Sequence, residues 1–484
     1  MKNPRQMMQI HRGIDDMNIN RFLLTGAIVA LLGGCTLAPE YTRPAAPVPA
    51  DWPTGAAYQE TKSAASAPTA EGLPWREFFT DERLQKVIET ALNNNRDLRM
   101  AALNVERARA YYGIQRAELL PTVNAVGSGY KERVPADLSS TGSARTSERY
   151  DVNLGITSWE IDFFGRIRSL KDRALEEYLA TDEARRGAQI LLVSTVAQAY
   201  LALAADREAL KLVVSTLETQ EASYKLIRRR QEVGIASELE LRQAQSQVDI
   251  AQGDVARYTQ LAAQDENALN LLVGSPLPPA LLPAELGSVS PPKEISPGLS
   301  SELLLRRPDV LAAEHGLKAT NANIGAARAA FFPRISLTTA IGTASADLSG
   351  LFKGGSGTWS FGPQIVMPIF DARTWSAYDV TKVEREISVA QYEKAIQAAF
   401  KEVADALAVQ GTVNRRIAAQ QSLVNAVAET YRLSNARYTK GIDSYLGVLD
   451  AQRSLYASQQ GLIALHLAGV ANQVTLYRVL GGGM

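Results

Sequence analysis

Over residues 446–479 the side chains sort by threes and fours into two seams. One holds Leu446, Leu449, Arg453, Tyr456, Gln460, Ile463 and onward to Tyr477; the other runs from Val448 through Ala451, Leu455 and Leu462 to Val479. A single such seam is a coiled-coil pattern, and two mean a helix packed on neighbours at both sides. The remaining face, from Asp450, Ser454 and Ala457 through Gly461, Ala464, Ala468 and Ala471 to Thr475, is small and polar. That suits a hollow helical wall better than a solid bundle, which would bury bulky residues there. Proline is absent between Pro135 and Pro276 and after Pro368, and these windows are rich in helix-forming residues. Arg166–Glu232 and Arg373–Lys440 therefore predict two nearly continuous helices of about 67 residues, about 100 Å long. Each stops at a Gly-Ile-x-Ser sequence, Gly234 or Gly441, which reads as a helix C-cap followed by a serine N-cap. Return helices over Ser237–Val273 and Ser444–Leu480 complete two long antiparallel hairpins.

A period of two appears between the helices. Tyr150, Val152, Leu154 and Ile156 alternate up to Trp159; Ile335, Leu337, Thr339 and Ile341 form a second run. Trp359, Phe361, Pro363, Ile365, Met367 and Ile369 form the strongest, and Pro121 to about Tyr130 is a fainter fourth. Segments of about ten to thirteen residues match what a tilted strand needs to cross a bilayer. They pair as hairpins around the polar loops Lys131–Glu148 and Ala344–Gly357, with Trp159 and Trp359 near strand ends as membrane-interface aromatics. Two isolated hairpins on a soluble body would be poorly stable. A membrane-spanning sheet must close, because an open edge leaves unpaired amides in hydrocarbon. Four strands cannot close alone, the usual minimum being about eight. Two copies would give a filled eight-stranded barrel, three a twelve-stranded one with an aqueous path. The hollow wall favours three.

The chain is duplicated with an offset of about 210 residues. Ile114-Gln-Arg-Ala-Glu-Leu-Leu-Pro121 is echoed by Ala326-Ala-Arg-Ala-Ala-Phe-Phe-Pro333, and Tyr224, Arg230, Gly234, Ser237 and Gln245 recur as Tyr431, Arg437, Gly441, Ser444 and Gln452. A period this long exceeds the 20–50 residues of a solenoid repeat, so residues 75–274 and 300–484 read as two structural repeats. Residues 275–299 are a linker, with seven prolines between Ser275 and Pro297.

Composition narrows the partners. Lysine plus arginine number 51 and aspartate plus glutamate 51, so no global field draws nucleic acid. The run Arg228-Arg-Arg230 could in principle touch phosphate, but it reads first as a solvated helix face. The single cysteine, Cys35, ends a signal-like segment: a polar start from Met17 to Arg21, an apolar stretch from Phe22 to Leu32, then Gly33-Gly34-Cys35. Residues 1–34 are therefore expected to be an upstream extension plus signal peptide, with either Met1 or Met17 as the start. Residues 35–74, rich in proline, read as an extended tether. For catalysis there is little material. Beyond the signal only His315 and His466 remain, Glu314-His315 is not a metalloprotease motif, and Gly354-Gly-Ser-Gly357 lacks the lysine of a P-loop.

The stretches Leu32-Gly-Gly-Cys35, Trp75-Arg-Glu-Phe-Phe79, Asn93-Asn-Asn-Arg-Asp97, Trp159-Glu-Ile-Asp-Phe-Phe-Gly-Arg166, Asn321-Ala-Asn-Ile-Gly-Ala-Ala-Arg328 and Leu449-Asp-Ala-Gln-Arg453 together resemble the TolC-like outer membrane factors. More narrowly they resemble the lipoprotein efflux subgroup typified by OprM. The resemblance covers essentially the whole chain from Cys35 onward. It implies an α+β membrane protein: a homotrimer whose twelve-stranded outer membrane barrel, four strands per chain, continues into a twelve-helix periplasmic tunnel with a mixed α/β equatorial domain. It implies a passive exit duct of a tripartite pump, working with a periplasmic membrane-fusion adaptor and an inner membrane transporter of the RND type. No cofactor is implied beyond a covalent lipid on Cys35 in the outer membrane. Thr36, following Cys35, fits outer membrane sorting. Val233, Gly234 and Ser237 with Lys440, Gly441 and Ser444 would form the adaptor-docking tip, although helix capping alone also accounts for them. Leu446, Asp450 and Arg453 would form the periplasmic gate, while an ordinary i,i+3 pair between Asp450 and Arg453 is the plainer alternative. A duct for type I protein secretion or for metal would share this architecture. The methionines remaining inside the chain, Met100 and Met367, give no metal station.

Overall fold

The computed structural model describes residues 36–58, 70, 72–296, 298 and 300–482; the signal segment and Cys35 lie outside them. The elements are α1 (Trp75–Phe78), α2 (Glu82–Asn94), α3 (Arg96–Ala117), β1 (Val123–Val134), β2 (Arg145–Ile161), α4 (Arg166–Glu232), α5 (Glu238–Val273), α6 (Pro308–Ala329), β3 (Arg334–Ser345), β4 (Gly357–Val366), α7 (Ala372–Thr439) and α8 (Tyr445–Val479). They divide into two units. One takes the described residues up to Pro44 with 106–180 and 314–391; the other takes 45–105, 181–313 and the rest from Tyr392.

The first unit carries a single antiparallel sheet in the order β1-β2-β3-β4. Residues directly opposite one another in an antiparallel pair point to the same side, so the register sorts the side chains. Leu154 faces Ala125 and Ile341, Ile341 faces Trp359, Thr339 faces Phe361, and Leu337 faces Trp159 and Pro363. The opposite face gathers Asn124, Ser128, Glu132, Asp151, Asn153, Ser336, Ala340, Gly342, Ser360 and Gln364, with Val126, Tyr130 and the strand-end residues Val134 and Val366 as apolar exceptions. One side is thus apolar and the other small and polar. Trp159 reaches the apolar side only because the register slips between Ile156 and Trp159, where Ser158 has φ 55°. This bulge inserts one residue and flips the parity of the strand end. Pro363 lies in β4, an edge strand of this chain, the kind of strand in which a residue without an amide hydrogen is tolerated.

Two expected strand bounds are corrected. β1 continues to Val134 and β2 starts at Arg145, so the loop spans residues 135–144 and not Lys131–Glu148. The extension alternates poorly because its pairs are polar: Lys131 meets Glu148 at 2.5 Å across the strands. β4 stops at Val366, before Met367 and Ile369, whose alternation Pro368 ends.

The second unit is helical. Its upper core stacks Phe78 on Tyr477 with ring centres 3.9 Å apart, and the Tyr477 hydroxyl donates to the Leu73 carbonyl at 2.6 Å. Buried Arg307 ties the end of α8 to α7, donating to the Val479 carbonyl at 2.7 Å and to Glu402 at 2.9 Å. The linker lies against this core through 3-10 turns at Pro279–Leu281 and Leu286–Ser288, with Lys293 donating its amide to the Phe78 carbonyl. Part of the tether is also seated here: Trp52 stacks on Phe400 at 5.5 Å, and Ser301 donates through its amide to Ala50 and its hydroxyl to Pro49.

Candidate functional site: the helix turns and the polar ladder beside them

Both long helices end in the same way. Gly234, at φ 75°, donates to Gln231 while Ile235 donates back to Arg230; Gly441, at φ 73°, donates to Tyr438 while Ile442 donates to Arg437. These paired bonds form the glycine-dependent Schellman ending, which satisfies the last carbonyls of a helix. The restart differs between the copies. The Ser237 hydroxyl accepts the Glu240 amide and the Glu240 carboxylate accepts the Ser237 amide, a reciprocal capping box. Ser444 holds the N-cap position of α8, but its side chain accepts no hydrogen bond. Three residues on stands Gly447, which has no side chain to reach back. There the turn is instead closed by Arg437, which meets Asp443 at 2.5 Å and holds its carboxyl below the usual range.

Beneath the turns lies a core of Ile227, Ala244, Tyr438, Tyr445, Val448 and Leu449, flanked by Tyr224, Leu241 and Tyr431. It draws on α4, α5, α7 and α8 and so joins the two hairpins. Tyr438 and Tyr445 rings sit 5.2 Å apart, with the Arg230 guanidinium over Tyr438 at 4.8 Å. Burial pushes Tyr445 up to about 12, with Tyr438 and Tyr431 adding to it. Val233, Ile235, Lys440 and Ile442 point outward, leaving an apolar and basic cap on an otherwise filled end.

The three expected gate residues all lie exposed on α8: Leu446, Asp450 and Arg453. The pair within the helix is not formed. Arg453 turns to α5, its Nε donating to the buried Gln247 carboxamide at 3.3 Å, and Asp450 makes no hydrogen bond or ion pair among the described residues. Arg453 starts a ladder that the sequence reading missed. Tyr456 donates to Asp254 at 2.9 Å, and Gln460 donates to the Tyr258 hydroxyl at 3.1 Å. Burial and then the Asp254 carboxylate push the Tyr456 hydroxyl far up, so it remains a donor at any physiological pH. The available signal was the intrusion of Arg453, Tyr456 and Gln460 into an otherwise apolar seam. Around the ladder Gln220, Gln247 and Gln452 are more than nine-tenths buried and border a cavity of about 240 Å³.

Trp359 is 77% exposed on the apolar face of the sheet, whereas Trp159 is half-buried there. Cys35 lies outside the described residues. Among the described residues no group of three or more histidine, cysteine, aspartate or glutamate side chains could hold a metal ion.

The sequence matches the family model described as outer membrane efflux protein over residues 87–275 and 299–482, two stretches that flank the linker. It is 50% identical over 468 residues to the toluene efflux pump outer membrane protein TtgC of Pseudomonas putida, covering 96% of each chain. It is equally similar to the antibiotic efflux pump outer membrane protein ArpC of the same species, with the same coverage. The fold superposes on the open state of the MtrE outer membrane channel of Neisseria gonorrhoeae with a TM-score of 0.83 at 37% identity, covering 93% of this chain and 98% of that one.

Proposed function

This chain belongs to the outer membrane efflux protein family, a channel of the outer membrane and not an enzyme, and from that premise we propose that it is the exit duct of a tripartite pump. Three copies combine their sheets into a twelve-stranded barrel and their helical hairpins into a periplasmic tunnel. The observation that carries this reading is the two-faced, four-stranded sheet with β1 and β4 at its edges: apolar outside, polar inside, and too narrow to close on itself. An adaptor docks on the capped turns around Val233, Gly234, Ser237, Lys440, Gly441 and Ser444, where Ile235 and Ile442 offer apolar contact beside basic side chains. An RND-type transporter of the inner membrane supplies the energy. The cargo is drugs and small amphiphiles, the class to which the toluene and antibiotics named for the relatives belong. Cys35 carries the lipid, and Trp159 and Trp359 lie at the membrane interfaces.

Leu446, Asp450 and Arg453 form the gate. Threefold symmetry brings three Asp450 carboxylates together, each pair repelling by about 1 kcal/mol at 4 Å in water and more where screening is weaker. Since Arg453 is committed to Gln247, the carboxylates are left for cations, and the polar ladder holds α8 shut against α5. Conductance in planar bilayers tests this. Wild type should be nearly closed and cation-selective. Asp450→Ala should lose the selectivity, and Tyr456→Phe should raise the leak. A closed, unselective pore that neither substitution changes would sink the gate.

A further inference from the structure

Five residues of α6 fall on one face at steps of four and three: Glu314, Lys318, Asn321, Gly325 and Arg328. The segment 37–43 lies along that face in the opposite direction, and each of the five has a part in holding it. Glu314, whose side chain is only 3% exposed, accepts from the Arg43 guanidinium at 2.8 Å and 3.1 Å and from the Tyr41 hydroxyl at 3.1 Å. Lys318 meets the same carboxylate at 3.2 Å and lies over the Tyr41 ring. Burial alone would raise the Glu314 carboxyl, yet Arg43 and Lys318 outweigh it and keep it below its usual range. Asn321 donates its side-chain amide to the Pro39 carbonyl at 2.8 Å, and Arg328 donates to the Leu37 carbonyl at 3.1 Å. Between them, a Cβ on Gly325 would stand 2.6 Å from the Ser169 hydroxyl of α4 and 2.8 Å from the Ala38 nitrogen, so the glycine leaves room for both. The motif from Asn321 to Arg328 is therefore a fitted seat for a backbone, with a buried charge at one end.

The direction of the segment gives this seat its use. Leu37 is held at the end of α6 that leads, five residues beyond its last helical residue Ala329, to Arg334 and β3. Cys35 lies outside the described residues, but it precedes Leu37 by two, and two extended residues span at most about 7 Å from Cα to Cα. We infer that this face of α6 is a receptor for the lipid-bearing N-terminus, which pins the anchor beside the start of β3 and sets the depth at which the sheet enters the outer membrane. This rests on the proposed lipid at Cys35. The segment upstream of Pro44 is thus a fixed mount from which the anchor extends, not a slack leash.

A free tether would tolerate extra length anywhere, whereas a seated one would not. The test inserts ten Gly/Ser residues either between Thr36 and Leu37 or between Pro44 and Ala45 of the full chain expressed in its membrane. Gly325→Leu is made in parallel. Mass spectrometry reads the lipid on Cys35, nonspecific proteolysis reads protection of residues 37–43, and denaturant-resistant trimers report assembly. The upstream insertion should remain lipidated and keep the segment protected, yet lower trimer yield several-fold; the downstream insertion should match wild type. Gly325→Leu should remain lipidated, speed cleavage of the segment about tenfold and lower trimer yield like the upstream insertion. Equal behaviour of the two insertions, with lipid present, overturns the receptor. A wild-type chain without lipid on Cys35 overturns it by a different route, because there would be no anchor to place. If Gly325→Leu fails to fold, the insertions still decide, since they leave α6 untouched.

Discussion

Ser237 and Ser444 occupy matching positions in the two repeats, and only one of them acts as a cap. The difference lies three residues away, in Glu240 against Gly447. Ser237→Ala should therefore weaken the first turn of α5 by about 1 kcal/mol, the usual worth of a lost cap, while Ser444→Ala should change α8 by a few tenths at most. Amide exchange over residues 238–241 and 445–448 would show it; equal loss of protection in both turns would contradict the reading. The glycine endings were legible because a left-handed residue closing a helix is a local requirement. The direction of Arg453 was not. Its spacing from Asp450 permits an i,i+3 pair, but the choice is made by Gln247, 206 residues away in sequence. Tyr456→Phe carries this further: it strips Asp254 of a charge-assisted hydrogen bond, a type worth about 1.5–3 kcal/mol. That loss should appear as easier separation of α8 from α5, read as faster exchange of the amides around Tyr456.

Between elements, a different contact works against the packing of α4 on α5. The Asp265 carboxyl is pushed up to about 6 by burial and then by Asp206, and its Oδ2 is buried without a donor. Because its folded pKa lies above the ordinary 3.8, the protonated form stabilises the hairpin. That support is complete below about 3.8, fades as pH rises, and is gone above about 6. Asp265→Asn should remove this pH dependence and raise stability near neutrality, seen as a melting temperature that no longer falls between pH 4 and 6; a variant that melts lower than wild type at pH 7 would refute it. The sheet makes a sharper claim. Ile341 is on the apolar face and Ser128 on the polar one, so Ile341→Lys should cost about 2–4 kcal/mol in a bilayer while Ser128→Lys should leave barrel assembly near wild type. The long helices and β4 were readable from proline-free windows and strict alternation. β1 was faint for a physical reason: Gly127 and Gly129 occupy apolar-face positions, and its far end is held by charged cross-strand pairs. The bulge at Ser158, which reverses the parity of Trp159, shows in the sequence only as a step of three residues from Ile156 to Trp159 where strict alternation needs two.

At the scale of the whole molecule the decisive feature is what one chain leaves unpaired. Among the described residues β1 bonds only to β2 and β4 only to β3, so each presents a row of unpaired backbone groups along a sheet whose outer face is apolar. In hydrocarbon those groups must find partners. The partner most economical in design is the complementary edge of an identical chain, β4 of one copy against β1 of the next. Such a contact is head-to-tail, and a head-to-tail contact either closes into a ring or propagates without end. Engineered cysteines can count the ring, since Cys35 is the chain's sole natural cysteine. With Ser128→Cys on β1, a second cysteine is moved along β4 through Thr358, Trp359, Ser360 and Phe361. Disulfides need Cβ atoms about 3.5–4.5 Å apart and facing one another. Only the polar-face positions, Thr358 and Ser360, should cross-link to Ser128→Cys, and one of them better than the other as the register dictates. The denaturing gel should then show covalent dimers and trimers and nothing larger. A ladder ending at dimers would mean an eight-stranded barrel with a filled lumen, and one running past trimers would mean an open sheet; either would remove the aqueous path on which the duct depends.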